Sequence, residues 1–160
     1  MHQSKPVVGT LLALLISACA GGGGYAKIEE QLPALTGNQG RIYIYTPVRD
    51  FARNFQPPVL VNREVVGVSR PGTFLVVDRP AGEYSVEAGE QASFAAFGGE
   101  LKSVPASIYL TSGTTTYMRI QVENDELALR ARSISENSEN GQRELRTLTY
   151  QGGNALPQGN

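Results

Sequence analysis

Two patterns of hydrophobic and polar positions divide this chain. Val7 to Ala18 (VVGTLLALLISA) is an unbroken apolar run behind a polar start that contains Lys5. From Gly40 onward the apolar positions alternate with polar or aromatic ones. Arg41-Ile42-Tyr43-Ile44-Tyr45-Thr46, closed by Pro47, is β-branched and aromatic and reads as a strand. Its period puts Ile42 and Ile44 on one face and Tyr43 and Tyr45 on the other. That tyrosine face has two readings: the outer part of a packed sheet, or a candidate ligand face if it stands exposed beside a groove.

The same alternation continues through short segments punctuated by turn residues. Pro57-Pro58 introduces Val59-Leu60-Val61, and Asn62-Arg63 has the length and the leading asparagine of a hairpin link to Glu64–Val68. Arg70-Pro71-Gly72 turns into the apolar strand Thr73–Val77, which ends at Asp78-Arg79-Pro80; Ala81-Gly82 turns again into Glu83–Glu87. Ser107–Leu110 and Thr114–Val122 are expected to pair across Thr111-Ser112-Gly113. Glu126–Ser133 would point Leu127, Leu129 and Ala131 inward. Short strands at such spacing describe an all-β fold, mainly antiparallel: a small β-sandwich or barrel, with residues 140–150 as a short C-terminal helix or a last strand. The division expected is a leader over 1–18, a flexible tether over 19–38, the β-sandwich over 39–150 and a disordered tail over 151–160.

The N-terminal run is an address rather than part of the fold. A charged start, an apolar stretch and small residues at its exit describe a secretory signal peptide. Its length corresponds to a helix of about 18 Å, too short for a hydrocarbon core of about 30 Å. The sole cysteine falls at the end of the run, in Leu15-Ile16-Ser17-Ala18-Cys19, and this segment resembles the bacterial lipobox. The resemblance implies cleavage after Ile16-Ser17-Ala18, a diacylglycerol on the Cys19 sulfur and a third acyl chain on the new amine. Two or more such chains give stable attachment, where one gives only marginal binding. Ala20 stands where an aspartate would, by analogy with enteric lipoproteins, hold the protein in the inner membrane. The expected location is therefore the periplasmic face of the outer membrane. Gly21–Gly24 is then a spacer behind the lipidated residue.

Composition narrows the chemistry. The 160 residues carry 14 basic and 15 acidic side chains, a balance that argues against non-specific binding of nucleic acid. His2 is the only histidine and leaves with the leader, so the expected mature chain has no histidine base and no triad. One cysteine excludes an intrachain disulfide and, with histidine absent, removes the usual ligands of zinc, haem and copper. No catalytic residue, metal or cofactor is expected. Carboxylate chemistry would have to come from Asp50, Asp78, Glu83, Glu87 or Asp125. Of these Asp78 reads as a cap on its own turn, and Glu83 and Glu87 as a solvated face. Glu123, Asp125 and Glu126 lack the regular ligand spacing of a calcium loop.

Two segments stand out as candidate partner contacts. Ala92–Gly99 places Phe94 and Phe97 among small residues, either as a strand over the core or as a loop that docks on a partner or on lipid. The loop with Arg49, Phe51, Arg53 and Phe55 mixes the residue types of interface anchors.

Arg41-Ile42-Tyr43-Ile44-Tyr45, Val61-Asn62 leading to Val66-Gly67, and Gly72-Thr73-Phe74 through Asp78-Arg79-Pro80-Ala81-Gly82-Glu83-Tyr84 together resemble a known family. They are similar to the bacterial lipoproteins of domain-of-unknown-function family 2846, with their RIYVYRP strand, VNG…VG hairpin and GTFF.VD.PPGEY.V segment. Gly113–Ile120 loosely matches the family's later GKTYYLRV strand, and the likeness spans about residues 40–150. The chain is also similar to the PEGA-type β-sandwich. It departs from the pattern at Thr46, Arg63 and Ala81. The resemblance implies a membrane-tethered sandwich and brings no catalytic motif. The function expected is a non-enzymatic protein-binding or accessory role in the envelope, with membrane lipid and an envelope protein as partners. The alternatives are a glycan or small-ligand module using Tyr43 and Tyr45, and a carboxylate hydrolase.

Overall fold

The computed structural model describes residues 24–89, 101–125 and 128–156. In chain order these form α1 (Tyr25–Gln31), β1 (Gln39–Thr46), β2 (Pro58–Val61), β3 (Glu64–Val68), β4 (Thr73–Pro80), β5 (Gly82–Ala88), β6 (Leu101–Val104), β7 (Ala106–Leu110), β8 (Thr115–Asp125), β9 (Ala128–Glu136), α2 (Ser138–Leu145) and β10 (Thr149–Gly153). The strands make two sheets. Sheet I has the order β10-β4-β1-β8-β9-β6 and sheet II the order β3-β2-β5-β7. Most pairings are antiparallel, and β1–β8, β10–β4 and β6–β9 are parallel. The fold is a small β-sandwich with one short helix near its C-terminus.

Alternation decides the core. Ile42, Ile44, Leu75, Val77, Met118, Ile120 and Val122 from sheet I meet Val59, Val61, Val86, Ile108 and Leu110 from sheet II. The Asn62-Arg63 hairpin forms as expected, both residues having positive φ (49° and 68°), which lets the link follow the strand twist. Leu129 and Ala131 point inward; Leu127 lies outside the described residues.

The other face of sheet I is buried as well, and this sets the molecule apart from the simple sandwich expected. Tyr43, Tyr45, Phe74, Val76 and Tyr117 are covered by Tyr25 and Ile28 of α1, Leu145 of α2, Leu148 and Ala155. Tyr43 stacks on Tyr117 with ring centroids 5.6 Å apart and meets Tyr25 edge-on at 5.7 Å. Both geometries suit the ring quadrupole.

Four corrections follow. First, β7 and β8 do not form a hairpin: β7 pairs with β5 in sheet II and β8 with β1 and β9 in sheet I. The link Thr111–Gly113 crosses between sheets, tied to the start of β1 by Gly113 N–H donating to Gln39 O (2.8 Å) and Arg41 N–H donating to Thr114 O (2.9 Å). Alternation cannot separate the two cases, because strands in facing sheets send their apolar sets into the same core. Second, the tail is ordered through residue 156. β10 runs beside β4, Ala155 N–H donates to Val76 O (3.2 Å), and the Asn154 amide oxygen accepts from Asp78 N–H (2.9 Å). Residues 140–150 thus hold the end of a helix and the start of a strand. Third, the tether is shorter than residues 19–38, because Tyr25 and Ile28 are buried against sheet I. A helix this short is unstable alone and is held by that burial. Fourth, Asp78 does not cap its own turn; it pairs with Arg41 across the β1–β4 ladder.

Burial pushes the hydroxyls of Tyr25, Tyr43 and Tyr45 well above their ordinary pKa of 10.0, with Glu29 adding to the effect at Tyr43. The folded state therefore holds these protons more tightly than the unfolded chain does. Their contribution is complete below pH 10 and falls away as the pH rises above it. With the solvent-facing Tyr109 and half-buried Tyr84 replaced by phenylalanine, tyrosine ionisation followed at 295 nm is expected to rise in one cooperative step above pH 10, together with loss of far-UV β signal. Gradual ionisation without unfolding would contradict the covered tyrosine layer.

Candidate functional site

The face of sheet II turned away from the core lies in neither core cluster. Register assembles it row by row. Leu60 lies opposite Val65 on one side and Glu87 on the other, Ser85 lies opposite Ser107, and Glu83 lies opposite Tyr109. Ile108 and Leu110 are buried, so Tyr109 between them must face out, and it is 70% exposed. Val65 is 61% exposed. Asn62 completes the row at the hairpin: its backbone N–H donates to Ser85 O (2.9 Å) and its side-chain oxygen accepts from Ser85 N–H (2.8 Å). Tyr84, opposite the buried Ile108, packs against the core, its hydroxyl donating to Pro80 O (2.7 Å). Between these groups lies an open depression of about 650 Å³ lined by Asn62, Glu83, Tyr84, Ser85, Ser107, Ile108 and Tyr109. Such a surface offers an aromatic ring with carboxylate, amide and hydroxyl groups.

The residues singled out in the sequence are distributed differently. Tyr43 and Tyr45 are 0% and 1% exposed, so they form no ligand face; the covering layer of helices and C-terminal strand removes them from solvent. The loop after β1 splits in two. Phe55 is buried, and the Arg49 guanidinium turns inward, donating from Nη2 to the carbonyls of Ala52 (3.2 Å) and Phe55. Burial pushes the Arg49 pKa down. Phe51 is 43% exposed, and Arg53 reaches Asp50 at 2.8 Å on the surface. Cys19 with Ile16, Ser17 and Ala18, and Phe94 with Phe97, lie outside the described residues.

The carboxylates are not brought together. Asp78 is engaged by Arg41 in sheet I, with Oδ1 accepting from Nε and Oδ2 from Nη2, both at 2.8 Å. Glu83 and Glu87 share the outer face of β5, with their Cα atoms about 13 Å apart along the strand. Glu123 faces Arg132 at 3.9 Å. No cluster of three metal-ligating side chains occurs among the described residues, and no helix among them is long and apolar enough to cross a membrane.

Sequence reasoning overlooked Tyr109. The signal was present in Ala106-Ser107-Ile108-Tyr109-Leu110, where apolar neighbours on both sides direct it outward. No family model, no curated protein and no solved structure matches this chain.

Proposed function

We propose that this chain is a lipid-anchored, non-enzymatic accessory protein of the cell envelope, held on the periplasmic face of the outer membrane by acylated Cys19. Its folded domain binds another envelope protein through the face of sheet II that the described residues leave uncovered. The observation that carries the anchor is the sole cysteine, placed directly after an apolar run too short to span a bilayer. The likeness to domain-of-unknown-function family 2846 supports the same reading. For the binding role the support is the uncovered face itself, where Tyr109 and Val65 stand out of a sheet whose other side is core.

A photo-crosslinking residue in place of Tyr109, in intact cells, tests the binding role. The expected result is an adduct of one defined mass with an envelope protein, and none from the same residue in place of Val104 on sheet I. Equal adducts at both positions would overturn it. A second reading, recognition of a glycan, is favoured by the exposed Tyr109 ring beside Glu83, Ser85 and Ser107. It requires cell-wall glycan to retain the protein and Tyr109→Ala to abolish that retention.

A further inference from the structure

We propose that the end of the sandwich carrying Val48 and Phe51 lies against the lipid surface, so that the anchor presents the domain in a fixed orientation. This rests on the reading of Cys19 as acylated. Gly24 forms an antiparallel bridge with Thr149, Thr149 lies beside Thr73, and Thr73 lies opposite Thr46. The chain therefore enters the fold at the end where β1 finishes. Four residues lie between Cys19 and Gly24, five steps that reach at most about 18 Å. The opposite end of β1 lies about 24 Å beyond, seven steps at the strand rise.

What this near end exposes is suited to lipid. Val48 is 72% exposed, more than any other large apolar side chain among the described residues, and Phe51 is 43% exposed in the same loop. The loop is built to hold them out. Phe55 is sunk in the core, Arg49 clamps the carbonyls of Ala52 and Phe55, and Ala52 takes a positive φ of 46° at the turn. At this end of the sandwich lie Arg70, which donates to Gln56 (3.3 Å), and Arg146, while Arg53 is paired with Asp50. Arg70 precedes the turn into β4, and Arg146 follows α2 three residues before Thr149. Of the nearby carboxylates, Asp50 is held by Arg53 at 2.8 Å, Glu144 and Glu136 share Arg119 at 3.6 and 4.0 Å, and Glu87 points away on the outer side of sheet II. Apolar tips beside Arg70 and Arg146 match a bilayer surface with anionic headgroups.

The chain contains no tryptophan, so an introduced indole reports alone. Lipidated protein carrying Phe51→Trp, with Val48→Trp as an independent second probe, is reconstituted into phosphatidylcholine–phosphatidylglycerol vesicles containing brominated lipid. Acylation of Cys19 is checked first by mass. Emission is expected to fall at least about twofold for both probes, consistent with burial at the headgroup boundary, while Tyr109→Trp stays close to its unbrominated control. Adding Arg70→Glu and Arg146→Glu is expected to reverse about half of the quenching by repulsion from the anionic surface. Acylated protein whose Phe51→Trp and Val48→Trp emission is unquenched would overturn the orientation and leave the anchor standing. Protein without acyl chains on Cys19 would overturn the anchor reading, and the orientation with it.

Discussion

Truncating Tyr43 to alanine is expected to lower the unfolding free energy by about 3–5 kcal/mol, the range for deleting a buried aromatic ring. Tyr43 is fully buried on β1, a central strand of sheet I, stacked on Tyr117 and touching Tyr25 and Phe74. No neighbour can collapse into the gap without leaving its own strand register. The hydroxyl donates to Glu29 of α1, so the residue also holds the helix on the sheet. Tyr43→Phe separates the two roles: it keeps the ring and is expected to cost about 1 kcal/mol, the net value of one hydrogen bond. Urea denaturation followed by circular dichroism measures both. A loss below about 1 kcal/mol for Tyr43→Ala would mean that the outer layer does not pack on sheet I.

Asp78→Ala is expected to destabilise by a similar amount, about 3–5 kcal/mol, because it strands a buried cation. The side chains of Arg41 and Asp78 are 11% and 12% exposed and meet through two parallel hydrogen bonds of 2.8 Å. The same guanidinium donates from Nη2 to Pro33 O (2.9 Å), so it also ties the segment between α1 and β1 to the sheet. Without Asp78 the guanidinium keeps only the Pro33 carbonyl and the Glu29 carboxylate beyond it, with little access to water. The double change Arg41→Met with Asp78→Leu removes both charges and is expected to recover most of the loss. If Asp78→Ala and the double variant unfold at the same urea concentration, the pair has no such role.

Residue pattern alone announced β1 through β5, with β4 ending three residues early, because each is a short alternating or apolar run bounded by proline, glycine or asparagine. It did not reveal the third layer. Tyr43 and Tyr45 left both a packed face and a ligand face open, since the strand carrying them says nothing about what covers it. The covering groups, Tyr25, Leu145, Leu148 and Ala155, come from both ends of the chain and from segments with weak patterns of their own. β10 was hidden for a related reason: Thr149–Gly153 has two glycines, and its place beside β4 is set by pairing rather than by propensity. Gly153 sits against the Val76 backbone, where a Cβ would collide, so glycine there marks close approach rather than disorder. The outer face of sheet II was legible in principle from the flanks of Tyr109. That it remains uncovered by the described chain was not, because that depends on where every other element goes.

The anchor at Cys19 is tested most directly by the mass of the N-terminal peptide of the protein recovered from membranes of producing cells. The expected peptide begins at Cys19 and carries a diacylglycerol on its sulfur and an amide-linked acyl chain on its amine. A peptide that retains residues 1–18, or one with a free Cys19 thiol, would contradict the anchor and the membrane-facing orientation drawn from it.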